Sequence, residues 1–301
     1  MEKAEERLNK ILDKWQATGN KESFRKLDVV NKLKKPTIHR NSVLGFILAL
    51  VAVGVYYKYD AVINNECLYE ITGSAFRQPE TCDICEHVTS VDKVENISPE
   101  DFYWEYAKPI KPVVVKDGAI GWEAMNVFSF DFFKSVYESA PRKTGNSRCQ
   151  FFPYQTEFRS LREVFNMTPA RARLEPGEKS WYIGFNNCND EAGQIFKQYY
   201  ESPYFLSQSL ENIALSWIFM GGPGDGAHMH VDNVFYPSWQ AQISGRKEWV
   251  LAPPPECLYR CKELRVIVEP GEIIALNTNR WYHKTNVLPG DISITIGSEF
   301  Y

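Results

Sequence analysis

Apolar positions along the chain fall into three successive patterns. Near the start, Leu8, Ile11, Leu12 and Trp15 recur at i, i+3, i+4 and i+7, which predicts an amphipathic helix over residues 2–17 that Gly19-Asn20 ends. Next comes a run without charge from Val43 to Tyr57, lengthened by Ser42. As a helix it spans about 24 Å, slightly short of a typical ~30 Å hydrocarbon core. Arg40 and Lys58 flank it and can snorkel outward, while Tyr56, Tyr57 and Tyr59 suit a membrane interface. The expectation is a single transmembrane helix over residues 42–58; a buried core helix is the alternative. A cleaved signal peptide fits poorly, because a long polar segment precedes the run and no Ala-x-Ala-like site follows it.

The third pattern begins near Ile97. Ser98-Pro-Glu-Asp101 carries the residues of a helix N-cap with Pro at N1. The helix it starts bears Phe102, Tyr103 and Tyr106 and stops at Lys108-Pro109. Pro112–Val115 reads as a buried strand, and a helix begun at Ser129 carries Phe130, Phe132, Phe133, Val136 and Tyr137. Strands are then expected at 149–152, 181–185, 214–220, 239–243, 248–251, 266–269, 273–276 and 292–296, with a helical insertion over 192–200. Short strands parted by Gly/Pro turns predict a mainly β antiparallel sandwich or barrel with flanking helices. The organisation expected is a basic segment 1–41, the span 42–58, a cysteine-bearing stalk 59–95 and a domain 96–301.

Charge sharpens the N-terminal picture. Residues 1–40 hold 11 Lys/Arg against 6 Asp/Glu, in a chain whose net charge is −4. With an apolar run next to it, this basic excess argues for a membrane flank, and no nucleic-acid partner is expected. Lys32, Lys34, Lys35 and Arg40 crowd one side of the run, so the positive-inside bias predicts a type II protein with its C-terminal domain in the lumen of the endoplasmic reticulum or another secretory membrane. All seven cysteines follow the run: Cys67, Cys82, Cys85, Cys149, Cys188, Cys257 and Cys261. In a lumen they are disulfide candidates. Cys82-Asp-Ile-Cys85 reads as part of a disulfide, with half a zinc site as the competitor. Cys257 and Cys261, four apart, read either as one disulfide or as two unpaired surface thiols.

The densest chemistry lies in Gly221-Gly-Pro-Gly-Asp-Gly-Ala-His228-Met-His230-Val-Asp232. On extended backbone i and i+2 share a face, so His230 and Asp232 can grip one metal. His283, in Asn279-Arg-Trp-Tyr-His283, is the single downstream histidine and the natural third ligand. Two imidazoles and a carboxylate leave three octahedral positions open, which suits Fe(II) with a chelating keto acid and O2. A structural zinc site would be closed. His228 shares the ligand face and reads as a pocket-lining histidine, with ligation as the alternative.

The residues HVDNVFYPSWQAQISGRKEW from His230 to Trp249, followed by VLAPP, resemble the core of the Jumonji-C (JmjC) Fe(II)/2-oxoglutarate oxygenases of the cupin fold. The arginine demethylase/lysyl hydroxylase branch is the nearest pattern. DFYWEYAKPIKPVVVKDGAIGW upstream and EPGEIIALNTNRWYH downstream carry the same likeness, which covers about Ile97 to Phe300. It implies a double-stranded β-helix (cupin/jelly-roll) and the cofactor set Fe(II), 2-oxoglutarate and O2. His230, Asp232 and His283 match the family's metal ligands. Lys247, in G-x-K-x-W, matches the lysine that pairs with the distal carboxylate of 2-oxoglutarate. Tyr182 matches a tyrosine reaching the same carboxylate or is a core aromatic. Thr295 matches a hydroxyl contact or is an ordinary β-face threonine. Three positions depart from the pattern: Gln240 stands for an Asn near the keto acid, Ala227 for a Thr, and Gly297 for an Asn. The Pro253–Glu263 loop is also short. The expected activity is hydroxylation of a protein or peptide side chain. The departures leave two alternatives, a JmjC-like metal-binding adaptor without turnover and a zinc cupin of other chemistry.

Overall fold

The computed structural model describes residues 2–18, 40–57, 79–139, 150–207 and 217–300. The chain divides into two compact units, Met1–Phe76 and Arg77–Tyr301. The first contains helices Glu2–Thr18 and Arg40–Tyr57. Ile11 and Leu12, on the apolar stripe of the first helix, are exposed. The expected transmembrane span needs correction: among the described residues, no helix is long and apolar enough to cross a membrane. Arg40, Asn41 and Ser42 occupy the first turn of Arg40–Tyr57. That leaves residues 43–57, an apolar stretch of about 22 Å against the ~30 Å a span requires. All of residues 19–39 between the helices, most of the stalk, and both Cys67 and Cys149 lie outside the described residues.

The second unit is mainly β, with helices on one side. Its described residues form twelve strands: β1 (Asp92–Val94), β2 (Val113–Val115), β3 (Phe151–Phe152), β4 (Tyr182–Asn186), β5 (Trp217–Gly221), β6 (Gly224–Asp225), β7 (Ser238–Ser244), β8 (Lys247–Ala252), β9 (Leu264–Val268), β10 (Ile273–Leu276), β11 (Tyr282–Val287) and β12 (Ser293–Glu299). The larger sheet runs β1-β2-β10-β7-β12-β5-β4-β3, the smaller β6-β11-β8-β9. Every pairing is antiparallel except β1–β2.

Side-chain alternation divides the larger sheet into two faces. Val113, Val115, Ile183, Phe185, Ile218, Met220, Trp239, Ala241, Ile294 and Ile296 point to one side, into a core shared with the helices. Helix Phe130–Ser139, whose N-terminus Ser129 caps by accepting from Phe132 N, contributes Phe130, Phe133 and Val136 to this core. Ser98 caps its own helix in the same way. The opposite face looks across to the smaller sheet. At one end Val114, Ile274 and Leu276 pack on Trp249, Leu251 and Trp281. Toward the other end the facing residues turn polar, and the candidate site lies there.

A clasp tightens on the apolar end. Cys82 is disulfide-bonded to Cys257, and Cys85 to Cys261. The Cys257–Cys261 pairing is thereby corrected, and the C-x-x-C takes part in disulfides, not in a zinc half-site. Each cysteine of the motif bonds a cysteine of the short loop because both segments bury against the same cluster as Trp249 and Trp281. Ion pairs Glu80–Arg280 and Glu86–Arg260 reinforce the join. Cys188 is also disulfide-bonded.

Candidate metal centre

His230 and His283 meet backbone to backbone. His230 N donates to His283 O at 3.1 Å, and His283 N donates to His230 O at 2.8 Å, in an isolated antiparallel bridge. Their rings lie 4.3 Å apart. Asp232 shares the face of His230 and is fixed by its N–H donating to Thr278 O at 2.9 Å. One of its carboxylate oxygens is 3.3 Å from His230 Nε2, the other 3.9 Å from His283 Nε2. The ligand atoms of the three residues all lie within 4.8 Å of one another.

The tautomers follow from the neighbours. His230 Nδ1 sits 2.6 Å from His228 O and His283 Nδ1 3.1 Å from Trp281 O. A carbonyl only accepts, so each Nδ1 carries a hydrogen; each Nε2 faces Asp232, donating to the carboxylate when the ring is protonated and free to offer its lone pair to a metal when it is neutral. Burial lowers the His283 pKa to about 4, so its ring is neutral near physiological pH. At His230 burial opposes the charged form, but hydrogen bonds and attraction to Asp232 and the carbonyl of His228 outweigh it and the pKa rises. Asp232, despite burial, is drawn down by His230, His283 and Thr278. The carboxylate thus pulls positive charge toward the point where both Nε2 atoms converge. Trp249 stacks on His283 at 5.8 Å and 25°, which fixes the ring plane. His228 is exposed and outside this set; it contributes its carbonyl, and its ring lies 5.4 Å from that of His230.

Deeper between the sheets lies Lys247, 1% exposed. Its Nζ donates to Thr295 Oγ1 at 2.5 Å, and that hydroxyl donates to Gln242 Oε1 at 3.1 Å. The Tyr182 and Phe219 rings stand 5.2 and 5.4 Å from the ammonium. No carboxylate among the described residues forms an ion pair with Lys247, and burial depresses its pKa to about 7. A buried ammonium without a counter-charge is costly, so the surroundings fit an incoming anion. Tyr182 is fully buried with its hydroxyl on Thr285, and burial pushes its pKa up. The structure therefore brings Lys247, Thr295 and Tyr182 together. Thr295 reaches this position beside a bulge, where the β12–β7 register shifts between Ile294 and Thr295. Gln242, Thr285 and Tyr154, whose ring lies 5.9 Å from Tyr182 and 6.4 Å from His230, join the site although the motifs did not reveal them.

Gln240 lies on the face of Gln242, two residues along β7, and pairs in register with Gly297. A Cβ at Gly297 would come within 2.9 Å of Gln240 Cγ and 2.5 Å of Trp239 O. The two departures are thus one: the longer side chain at 240 fits because 297 has none. Gly297→Ala is expected to destabilise the domain by about 1–3 kcal/mol through overpacking, read by chemical denaturation.

The profile of the cupin-like domain family matches residues 99–263, more than half of the chain. The chain belongs to the cupin-like domain family. Its relatives there are JmjC oxygenases. Arginine-specific demethylase JMJ22 of Arabidopsis thaliana is 26% identical over 174 residues, 55% of this chain and 31% of that protein. The 2-oxoglutarate and iron-dependent oxygenase JMJD4 of Gallus gallus is 24% identical over 255 residues, 69% of this chain and 59% of that protein. The bifunctional arginine demethylase and lysyl-hydroxylase psr-1 of Caenorhabditis elegans is 22% identical over 189 residues, 55% and 42% of the respective chains. This chain therefore spans from about a third to under two thirds of these relatives. JMJD4 is by its name dependent on iron and 2-oxoglutarate, and the residues of this chain would fit such a pair: an open three-ligand set for a metal and an uncompensated buried ammonium for a carboxylate.

Proposed function

We propose that this chain is an Fe(II)- and 2-oxoglutarate-dependent dioxygenase that hydroxylates a protein side chain. The observation that carries the reading is the open His230–Asp232–His283 set in one cleft with the uncompensated Lys247. His230, Asp232 and His283 would hold Fe(II). Bound there with 2-oxoglutarate and O2, the metal supplies oxidative decarboxylation of the keto acid to succinate and CO2, with the second oxygen atom entering a C–H bond as hydroxyl. Lys247 pairs with the distal carboxylate of 2-oxoglutarate, Thr295 holds the ammonium in place, and Tyr182 walls the pocket. Gln240, on the same face of β7 as Gln242, would approach the keto acid. Trp249 and Trp281, both buried, exclude water from the inner side of His283. A protein substrate is favoured by relatives described as acting on arginine and lysine.

To test it, the full chain is incubated with Fe(II), ascorbate and 2-oxoglutarate, and succinate and +16 mass shifts on peptide libraries are measured. Iron and 2-oxoglutarate binding without succinate would instead favour an adaptor, the reading that the changes at Ala227, Gln240 and Gly297 support. For localisation we propose the lumen of the secretory pathway, where disulfides such as Cys82–Cys257 and Cys85–Cys261 persist. Alkylation of these cysteines in intact cells without added reductant would overturn that placement.

A further inference from the structure

The loop that follows Asp232 holds an aromatic ring out to solvent. Phe235 is 91% exposed, more than any other large apolar side chain among the described residues. Burying such a ring would stabilise the chain by about 1.5–3 kcal/mol, so full exposure calls for a reason. Slackness is not that reason. Phe235 N and Tyr236 N both donate to Glu299 Oε2, at 3.0 and 2.9 Å. Asn279 clamps the preceding residue, accepting from Val234 N at 2.9 Å and donating to Val234 O at 2.7 Å. Pro237 O accepts from Phe300 N at 2.8 Å.

These fastenings come from the elements that carry the site. Asn279 lies four residues before His283, and Glu299 ends the strand of Thr295. Phe235 is three residues beyond Asp232, so their Cα atoms are at most about 11 Å apart. A polypeptide whose side chain reaches the three ligands must pass close to this loop. Tyr236, 40% exposed with its ring 6.5 Å from that of Phe235, extends the aromatic surface. The nearest carboxylate in the loop's own contacts, Glu299, is already engaged by two backbone donors. The side chains that the lip exposes, Phe235 and Tyr236, are rings, so it offers apolar contact.

We propose that Phe235, with Tyr236 beside it, is a specificity determinant that receives an apolar or aromatic side chain of the peptide substrate. That side chain lies about two to four residues from the reacting one, given ~3.3 Å per extended residue. The inference rests on the dioxygenase reading for its choice of a peptide as occupant.

The test pans a random 12-residue peptide library on the Fe(II)-loaded full chain with 2-oxoglutarate, without oxygen. Retained peptides are expected to be enriched in Phe, Tyr, Leu or Met. Phe235→Ser should abolish that enrichment and Phe235→Trp should keep it. Both variants should melt at the wild-type temperature, since the backbone pins remain. For any peptide found hydroxylated in air, Phe235→Ser should raise KM about tenfold and leave kcat unchanged. Absence of enrichment, or the same enrichment in Phe235→Ser, overturns the proposal. Succinate release in air reports separately: enrichment without succinate sinks the dioxygenase reading alone, and succinate without enrichment sinks the lip alone.

Discussion

His230→Ala is expected to abolish iron retention and cut succinate formation by at least about a thousandfold, while the fold survives. A three-ligand site reduced to Asp232 and His283 keeps two donors, too few to hold a labile ferrous ion against water. The histidine side chain is partly exposed, at 23%, so truncation leaves no sealed cavity. Metal content and circular dichroism of the same sample separate loss of iron from loss of structure. His283→Ala behaves differently. Its ring is buried and stacked on Trp249, so removing it should also cost about 2–4 kcal/mol of stability. Added metal should raise the melting temperature of the wild type by linkage and leave that of His230→Ala unmoved. Iron retained at wild-type level by His230→Ala would sink the assignment of these ligands.

The ligands were legible in the sequence because H-x-D on extended backbone is a local geometric statement. Their meeting was less so. The strand expected to bring His283 had no bounds in the sequence, since Tyr282, Lys284 and Asn286 alternate with buried His283, Thr285 and Val287 in a pattern with few apolar residues. Yet that strand supplies the bridge to His230. Lys247, Tyr182 and Thr295 were reached through resemblance, and only the fold shows why they belong together: β8, β4 and β12 lie in two sheets that face each other. Gln242 escaped because it reads as one more polar residue in an alternating strand. Its partners Thr295 and Ser293 are over 50 positions away. The disulfides were legible as a set of cysteines and misread as pairs. Spacing favours Cys257 with Cys261, whereas burial of Ile84 and Cys85 beside Trp281 brings the C-x-x-C across to them. The apolar helix was found at its expected place, but the transmembrane span read from it was wrong: its uncharged stretch is too short and its first turn too polar.

Lys247→Met should weaken 2-oxoglutarate binding about a hundredfold or more and, without ligand, make the protein more stable. Both effects have one cause. The ammonium is fully buried with a hydroxyl as its hydrogen-bond partner, so in the ligand-free protein it carries a desolvation cost that no counter-charge offsets. Methionine fills nearly the same volume without that cost. The pH dependence fixes the sign. The folded pKa of about 7 lies below the ordinary 10.5 of an unfolded lysine. Between these values the unfolded chain binds the extra proton, so wild-type stability rises with pH through that window. Below about pH 7 the full penalty applies, on the order of a few kcal/mol. The melting-temperature advantage of Lys247→Met should therefore be largest near pH 6.5 and shrink toward pH 10. Binding of a dicarboxylate restores the charged form, because an adjacent anion raises an ammonium pKa. At pH 8 wild-type protein should then take up close to one proton per 2-oxoglutarate bound, seen by calorimetry in two buffers of different ionisation enthalpy. If no proton is taken up and Lys247→Met binds 2-oxoglutarate as well as wild type, the cosubstrate does not sit against this lysine.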